Sequence, residues 1–144
     1  GEPFVQYRNY LIMKFETENG PTIANPTSED LEKGIKSVDG KKSGFAILET
    51  GDLFIQAARN ESNEFLMEYQ NGSLDEHFST AEPVTESEVI NTFQAFACGD
   101  TSWFEQFSWE KMNLEKEKGK GCLPLMAMSI AAFGALAVVK NIQG

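Results

Sequence analysis

Few residues in this chain have the types and spacing that chemistry needs. His77, set in Asp75-Glu76-His77, is the one histidine, and Cys98 and Cys122 are the two cysteines. A histidine base needs a carboxylate to orient its ring and a nucleophile near its other nitrogen. Asp75 and Glu68 are the candidate carboxylates, since both fall on the same side of a predicted hairpin as His77. That side reads as wet and has no nucleophile beside it, so a surface histidine among acids accounts for the pattern better than a general base. Cys98 falls at the end of a predicted helix, the end that disfavours a thiolate, which speaks against a Cys98–His77 hydrolase. Two cysteines and one histidine also fall short of the four N/S ligands of a structural zinc site, and fit a reducing compartment.

The remaining polar clusters have simpler explanations. No glycine-rich loop joins a strand to a helix with the lysine that a phosphate cradle requires, and Asp39-Gly-Lys-Lys-Ser-Gly44 reads as a turn between a helix and a strand. Glu29-Asp30 and the pair Glu86 and Glu88 fall in first turns of predicted helices, where they complement the helix dipole. No catalytic residue, cofactor or metal ligand is therefore assigned. Trp103 and Trp109 are candidate interface anchors, because tryptophan is enriched where binding energy concentrates, and they serve equally as caps on a core.

The net charge of −10 is unevenly spread. Residues 1–115 carry 21 acidic and 8 basic side chains, while residues 116–144 carry 4 basic and 1 acidic. An acidic body repels nucleic acid and favours encounter with cationic partners. Acidity of this size also serves plain solubility. The chain opens on Gly1, the first ten residues show no signal-peptide pattern, and Met13 is a possible natural start.

The elements that must position these residues can be read from pattern. Residues 10–15 alternate as a strand and end near Asn19-Gly20-Pro21. Thr27 is a predicted N-cap with Asp30 at the reciprocal position, and Leu31, Ile35 and Val38 form the apolar stripe of the helix that follows. Gly34 weakens that helix. A hairpin then turns at Gly51-Asp52, pairing Thr50 with Leu53, Leu48 with Ile55 and Ala46 with Ala57. Both of its faces are largely apolar, which places it in the middle of a sheet. A second hairpin is predicted at Asn71-Gly72 as a two-residue turn. Phe65, Met67 and Tyr69 share a face with Leu74, Glu76 and Phe78. Leu66, Glu68 and Gln70 share the wet face with Ser73, Asp75 and His77, which sets Asp75 opposite Glu68.

Val84-Thr-Glu-Ser-Glu-Val89 has the form of a capping box, Thr85 with Glu88, closed by a Val84–Val89 hydrophobic staple. Val89, Phe93, Phe96 and Ala97 face the core, Gly99-Asp100 ends the helix, and residues 109–114 form a last edge strand. The predicted fold is α+β, a mainly antiparallel sheet of four to six strands with two amphipathic helices on one face. The domain spans residues 1–114, followed by a charged linker at 115–121 and an apolar helix at 122–144. Residues 122–139 carry no charge, at the lower end of the length that crosses a bilayer, and lysines 116, 118 and 120 place the domain on the cytoplasmic side. The competing expectation is a soluble cytoplasmic protein whose tail packs on the sheet or in an oligomer interface.

Ile55-Gln-Ala-Ala58, Phe65-Leu-Met-Glu-Tyr69, Gly72, His77-Phe78, Glu88-Val-Ile90, Phe93, Gly99-Asp100, Trp103 and Trp109-Glu110 together resemble a bacterial pattern. It is that of small α+β proteins distantly similar to the Imm-type immunity proteins of polymorphic toxin systems, over roughly residues 22–114. The resemblance implies stoichiometric neutralisation of a protein toxin by binding. The expected function is thus a non-catalytic, immunity-like antitoxin for a basic protein partner at the membrane, with Glu68, Asp75, His77, Trp103 and Trp109 as candidate contacts. A membrane-tethered structural or regulatory adaptor is the alternative.

Overall fold

A computed structural model describes residues 12–113. Its strands are β1 (Met13–Thr17), β2 (Ile23–Ala24), β3 (Phe45–Thr50), β4 (Leu53–Arg59), β5 (Phe65–Asn71), β6 (His77–Thr80) and β7 (Trp109–Met112), and its helices are α1 (Ser28–Lys36) and α2 (Glu86–Ala97). The strands make one antiparallel sheet in the order β2-β1-β3-β4-β5-β6-β7. The fold is α+β, as the pattern of elements predicts, with seven strands where four to six were expected. The extra strand, β2, is two residues long between turn-forming residues and has no alternation to betray it. Its place is fixed by pairing with Lys14 and Phe15 and by the Asn25 N–H donating to the Met13 carbonyl at 2.6 Å.

Both helices start where the capping residues put them. Thr27 Oγ1 accepts from the Asp30 N–H at 3.0 Å and Asp30 Oδ2 accepts from the Thr27 N–H at 2.9 Å; Thr85 and Glu88 repeat the arrangement at 3.1 and 2.8 Å. Each box satisfies two N–H groups that the first turn leaves without intrahelical partners. Leu31, Ile35 and Val38 from the first helix and its exit, and Val89, Phe93 and Phe96 from the second, are buried with Phe15, Leu48, Ile55, Phe65 and Met67 in one core. Phe15 meets Phe93 edge to face at 6.2 Å between centroids. The β3–β4 hairpin has the expected register, and its strands lie third and fourth of seven.

Gly34, which costs the helix some propensity, has a packing reason to be there. A Cβ at this position would lie 2.3 Å from Phe15 Cε2, and the Phe15 ring is itself only 1 % exposed. Gly34→Ala therefore sets two effects against each other. Propensity alone stabilises by about 1 kcal/mol, whereas overpacking the ring costs about 1–3 kcal/mol. We expect net destabilisation in urea unfolding, and a higher midpoint would show that Phe15 has room to move.

The second hairpin departs from expectation. β5 continues through Asn71, paired with Leu53 of β4, and the Gly72 N–H donates to the Asp52 carbonyl at 3.2 Å. Gly72 takes φ +93°, and a 3₁₀ turn at Leu74–Glu76, with Ser73 Oγ donating to Asp75 Oδ1, leads into β6. The pairing is Glu68 with Ser79, Tyr69 with Phe78 and Gln70 with His77. The Asn71-Gly72 two-residue turn is thus corrected to a longer loop. Local bonding in Ser73-Leu-Asp-Glu76 favours the 3₁₀ turn over immediate return. Asp75 does not face Glu68, and Glu76 leaves the core face for the surface, where it pairs with Lys111 at 3.6 Å.

Candidate functional site

The sheet register builds a row of polar side chains across the face opposite the helices. Ile47 pairs with Gln56, Gln56 with Glu68, Glu68 with Ser79, and Ser79 with Glu110. A parallel row runs Glu49, Phe54, Gln70, His77, Met112. Period-2 alternation puts all of these on one face. The central members are deeply buried: Gln56 is 0 % exposed, Glu68 1 % and His77 2 %. This corrects the expectation of a wet face carrying Glu68 and His77. Both helices lie on the other face, so their packing does not account for this burial.

At the centre, His77 Nε2 lies 2.5 Å from Glu68 Oε1 and His77 Nδ1 lies 2.9 Å from Gln70 Oε1. Gln56 Nε2 donates to the same Glu68 oxygen at 3.4 Å, and Phe54 presents its ring to the imidazole at 5.9 Å. A ring donating from both nitrogens satisfies the carboxylate and the amide oxygen together; with the Gln70 amide turned over, a neutral ring does the same. Glu68 Oε2 and Gln56 Oε1 are buried with no hydrogen-bond partner. Of the two carboxylates foreseen for His77, the fold brings Glu68 and leaves Asp75 exposed in the 3₁₀ turn.

This cluster is poorly arranged for nucleophilic catalysis. Ser79, the one hydroxyl in the row, donates to the Thr80 carbonyl at 3.3 Å, and both ring nitrogens of His77 are already engaged. A base with no free nitrogen cannot take the proton of a neighbouring hydroxyl. Cys98 caps the C-terminus of α2, exposed, and the core separates that helix from the face carrying His77. Among the described residues no three or more His, Cys, Asp and Glu side chains gather as a metal-holding group.

A second group forms where β5, β6 and β7 meet a 3₁₀ turn at Ser102–Gln106. Trp103 is buried at 4 % exposure, 4.9 Å from the Tyr69 ring, whereas Phe104, Phe107 and Trp109 are only half-buried. Phe104 and Trp109 stack at 4.9 Å with 6° between their planes, and the Trp109 indole N–H donates to the Phe104 carbonyl at 2.7 Å. Exposed Glu105 lies in the same turn, Glu110 follows Trp109 in β7 and points to the opposite face of the sheet, and the turn carrying Asp75 packs beside β7. Of the five candidate contact residues, then, Glu68 and His77 meet inside the protein, Trp103 is core, and only Asp75 and Trp109 reach solvent at this end of the sheet. Phe104 and Phe107 were missed as surface aromatics; their spacing around Trp103 resembles a core stripe.

The segment 39–44, set aside as a turn, is one. Asp39 Oδ1 accepts from the N–H groups of Lys41, Lys42 and Ser43 at 2.8–3.0 Å. Those bonds, that from Ser43 above all, hold the Asp39 carboxyl below the ordinary carboxylate range. Backbone and hydroxyl donors do the same for Asp30 and Asp100, and the Ser73 hydroxyl leads for Asp75. A carboxylate whose folded value is depressed contributes stability that is full above its unfolded value and is lost as pH falls through the folded one. The contribution of these four carboxylates should therefore be flat above about pH 5 and fall below about pH 4, and Asp39→Asn should shrink that acid-side slope. An unchanged slope in urea unfolding between those pH values would contradict it.

Among the described residues no helix is long and apolar enough to cross a membrane, and the expected tail helix at 122–144 lies outside them. The chain matches no protein-family model, and neither the curated proteins nor the solved structures hold a match to it.

Proposed function

We propose that this chain is a non-catalytic binding domain, immunity-like in kind, that sequesters a basic protein partner through the aromatic end of its sheet. The observation that carries the reading is the run of half-exposed Phe104, Phe107 and Trp109 at the edge strand, with exposed Glu105 in the same turn and Glu110 on the other side of that strand. Among the described residues, the exposed Glu105 and Glu110 side chains pair with no cation, while Lys36, Arg59 and Lys111 are each paired with an acid. An aromatic centre with a charged rim is the anatomy of a specific interface, and the surplus negative field steers basic partners toward it. The buried His77–Glu68 pair serves this reading as internal structure rather than as a contact.

The test is affinity capture from the native cells, comparing the natural chain with Glu105→Lys plus Glu110→Lys. Rim charges govern association rate and its salt dependence. A basic protein should be held by the natural chain, released by salt, and bound about tenfold more slowly by the variant. Capture of the same protein at the same rate by both chains would remove this surface from the interface.

The tail is the second part of the proposal. Residues 122–139 hold the domain at the cytoplasmic face of a membrane, with lysines 116, 118 and 120 on the inner side. Cells expressing the full chain should yield it in the membrane fraction, and a chain stopped at Gly121 should be soluble. Finding both soluble and monodisperse would make the tail part of the fold or of an oligomer.

A further inference from the structure

The two edges of the sheet are unlike. β2 is two residues long and ends at Asn25, which turns to φ +50°. β7 is four residues long, and among the described residues no strand lies beyond it. The ladder fixes which of its backbone groups face outward. The Ala81 N–H donates to the Ser108 carbonyl at 2.9 Å, and the pairs Thr80–Trp109, Ser79–Glu110, Phe78–Lys111 and His77–Met112 continue that register. Hydrogen-bonded and non-hydrogen-bonded pairs alternate along an antiparallel ladder. Ser108, Glu110 and Met112 therefore turn their N–H and C=O toward β6, while Trp109 and Lys111 turn theirs away from it. Among the described residues no group bonds these outward N–H and C=O groups.

An open edge is a template for another strand, and charge on it decides which strands it accepts. Glu110 projects on the face away from the helices, exposed, and no cation among the described residues pairs with it. Lys111 projects on the helix face and is drawn to Glu76 at 3.6 Å. A second copy of this chain fits the edge poorly. Antiparallel pairing of β7 with itself must set outward residues opposite one another. Centred on Glu110, it opposes two Glu110 carboxylates; centred on Lys111, it opposes two ammonium groups, and like charges so placed are destabilising. Centred on Trp109, it leaves most of β7 beyond the pairing. The edge is thus open to a foreign strand and closed to its own kind.

We propose that β7 engages its partner by strand addition, taking up an extended segment of a basic protein along its outer edge. This rests on the reading of the chain as a binding domain for such a protein. The N–H and C=O groups of Trp109 and Lys111 bond the added strand. Its side chains alternate between the two faces. A lysine or arginine stands opposite Glu110, and an apolar side chain stands opposite Trp109, continuing the aromatic surface of Phe104 and Phe107.

The probe is the acetylated, amidated peptide Lys-Val-Lys-Val-Lys, titrated into the ¹⁵N-labelled full chain while backbone amide resonances are followed. Saturable shifts centred on Trp109, Glu110 and Lys111 are expected at or below about 10 mM peptide. With the central lysine opposite Glu110, the two valine N–H groups face β7. Methylating both valine nitrogens should weaken binding at least about tenfold, whereas methylating the central lysine nitrogen should leave it unchanged. Glutamate in place of the lysines should abolish it. Lys111→Pro removes one outward N–H and keeps every bond to β6, so it should fold and lose the peptide, while Lys111→Thr should retain it. If Lys111→Pro does not fold, the methylated peptides decide on the natural chain. Equal binding of the two methylated peptides overturns the proposal, as do shifts elsewhere, or none. Slow amide exchange at Trp109 and Lys111 in the free chain overturns it too, since the edge is then already paired. If the peptide fails while a captured basic protein still distinguishes the natural chain from Glu105→Lys plus Glu110→Lys, strand addition is lost and the binding reading stands.

Discussion

Glu68→Ala and His77→Ala are each expected to destabilise the protein by about 3–5 kcal/mol, while Glu68→Leu combined with His77→Phe should cost far less than the two losses together. The reason is the asymmetry of buried polar groups. Removing one partner leaves the other desolvated, and no described side chain stands ready to replace it, since Gln56 Nε2 is 3.4 Å away and Gln70 already faces the ring. Replacing both with apolar groups of similar size removes the unmet demand, and the Phe54 ring at 5.9 Å is a suitable neighbour for a phenylalanine. Glu68 Oε2 already lacks a partner, which makes the apolar pair still less costly. Such losses approach the total stability of a small domain, about 5–15 kcal/mol. The milder Glu68→Gln, which keeps shape and hydrogen bonding, gives a measurable rung if the alanine chains fail to fold. Guanidinium unfolding of the natural chain, Glu68→Ala, His77→Ala and the chain carrying both alanines closes a double-mutant cycle. Additive losses would mean the two side chains do not act as a pair.

The same pair shows where the sequence could be read and where it could not. Both helix starts followed from four residues each, Thr27 with Asp30 and Thr85 with Glu88, because a capping box is local and its partners are three positions apart. The faces of the second hairpin also came out right, with Tyr69 and Phe78 on one side and Gln70 and His77 on the other. They did so although the turn was wrong: the true register differs from the expected one by four residues, and an even shift preserves which side chains share a face. What failed was depth. Glu68, Gln70 and His77 are polar types that alternate with apolar ones, which is how a solvated face reads. Whether such a face meets water depends on what lies across it, and no single strand carries that information. The close approach of α1 to the sheet was hidden for a related reason, since Gly34 and Phe15 come from a helix and a strand and only their packing brings them together.

Trp103→Ala should destabilise the protein by about 3–5 kcal/mol, and Trp103→Phe by much less. Trp103 is at the centre of the ring cluster, edge to face with Tyr69 at 4.9 Å and within 6.2 Å of Phe96, Phe104 and Trp109. Truncation opens a cavity among rings that hold one another in place, and rigid neighbours relax little to fill it. The indole N–H, however, has no hydrogen-bond partner although it is buried. A phenyl ring forfeits some area and contact but removes that orphan donor, so part of the loss is offset. Trp109 is the contrast, because its N–H is bonded to the Phe104 carbonyl and its face is half open. Trp109→Phe should therefore lose a hydrogen bond worth about 1 kcal/mol, and should also slow or weaken partner binding. Trp103→Phe should leave binding alone. Thermal unfolding of the three variants, with binding measured on each folded chain, separates the two tryptophans. If Trp103→Phe impaired binding at unchanged stability, the division between a core Trp103 and an interface Trp109 would be wrong.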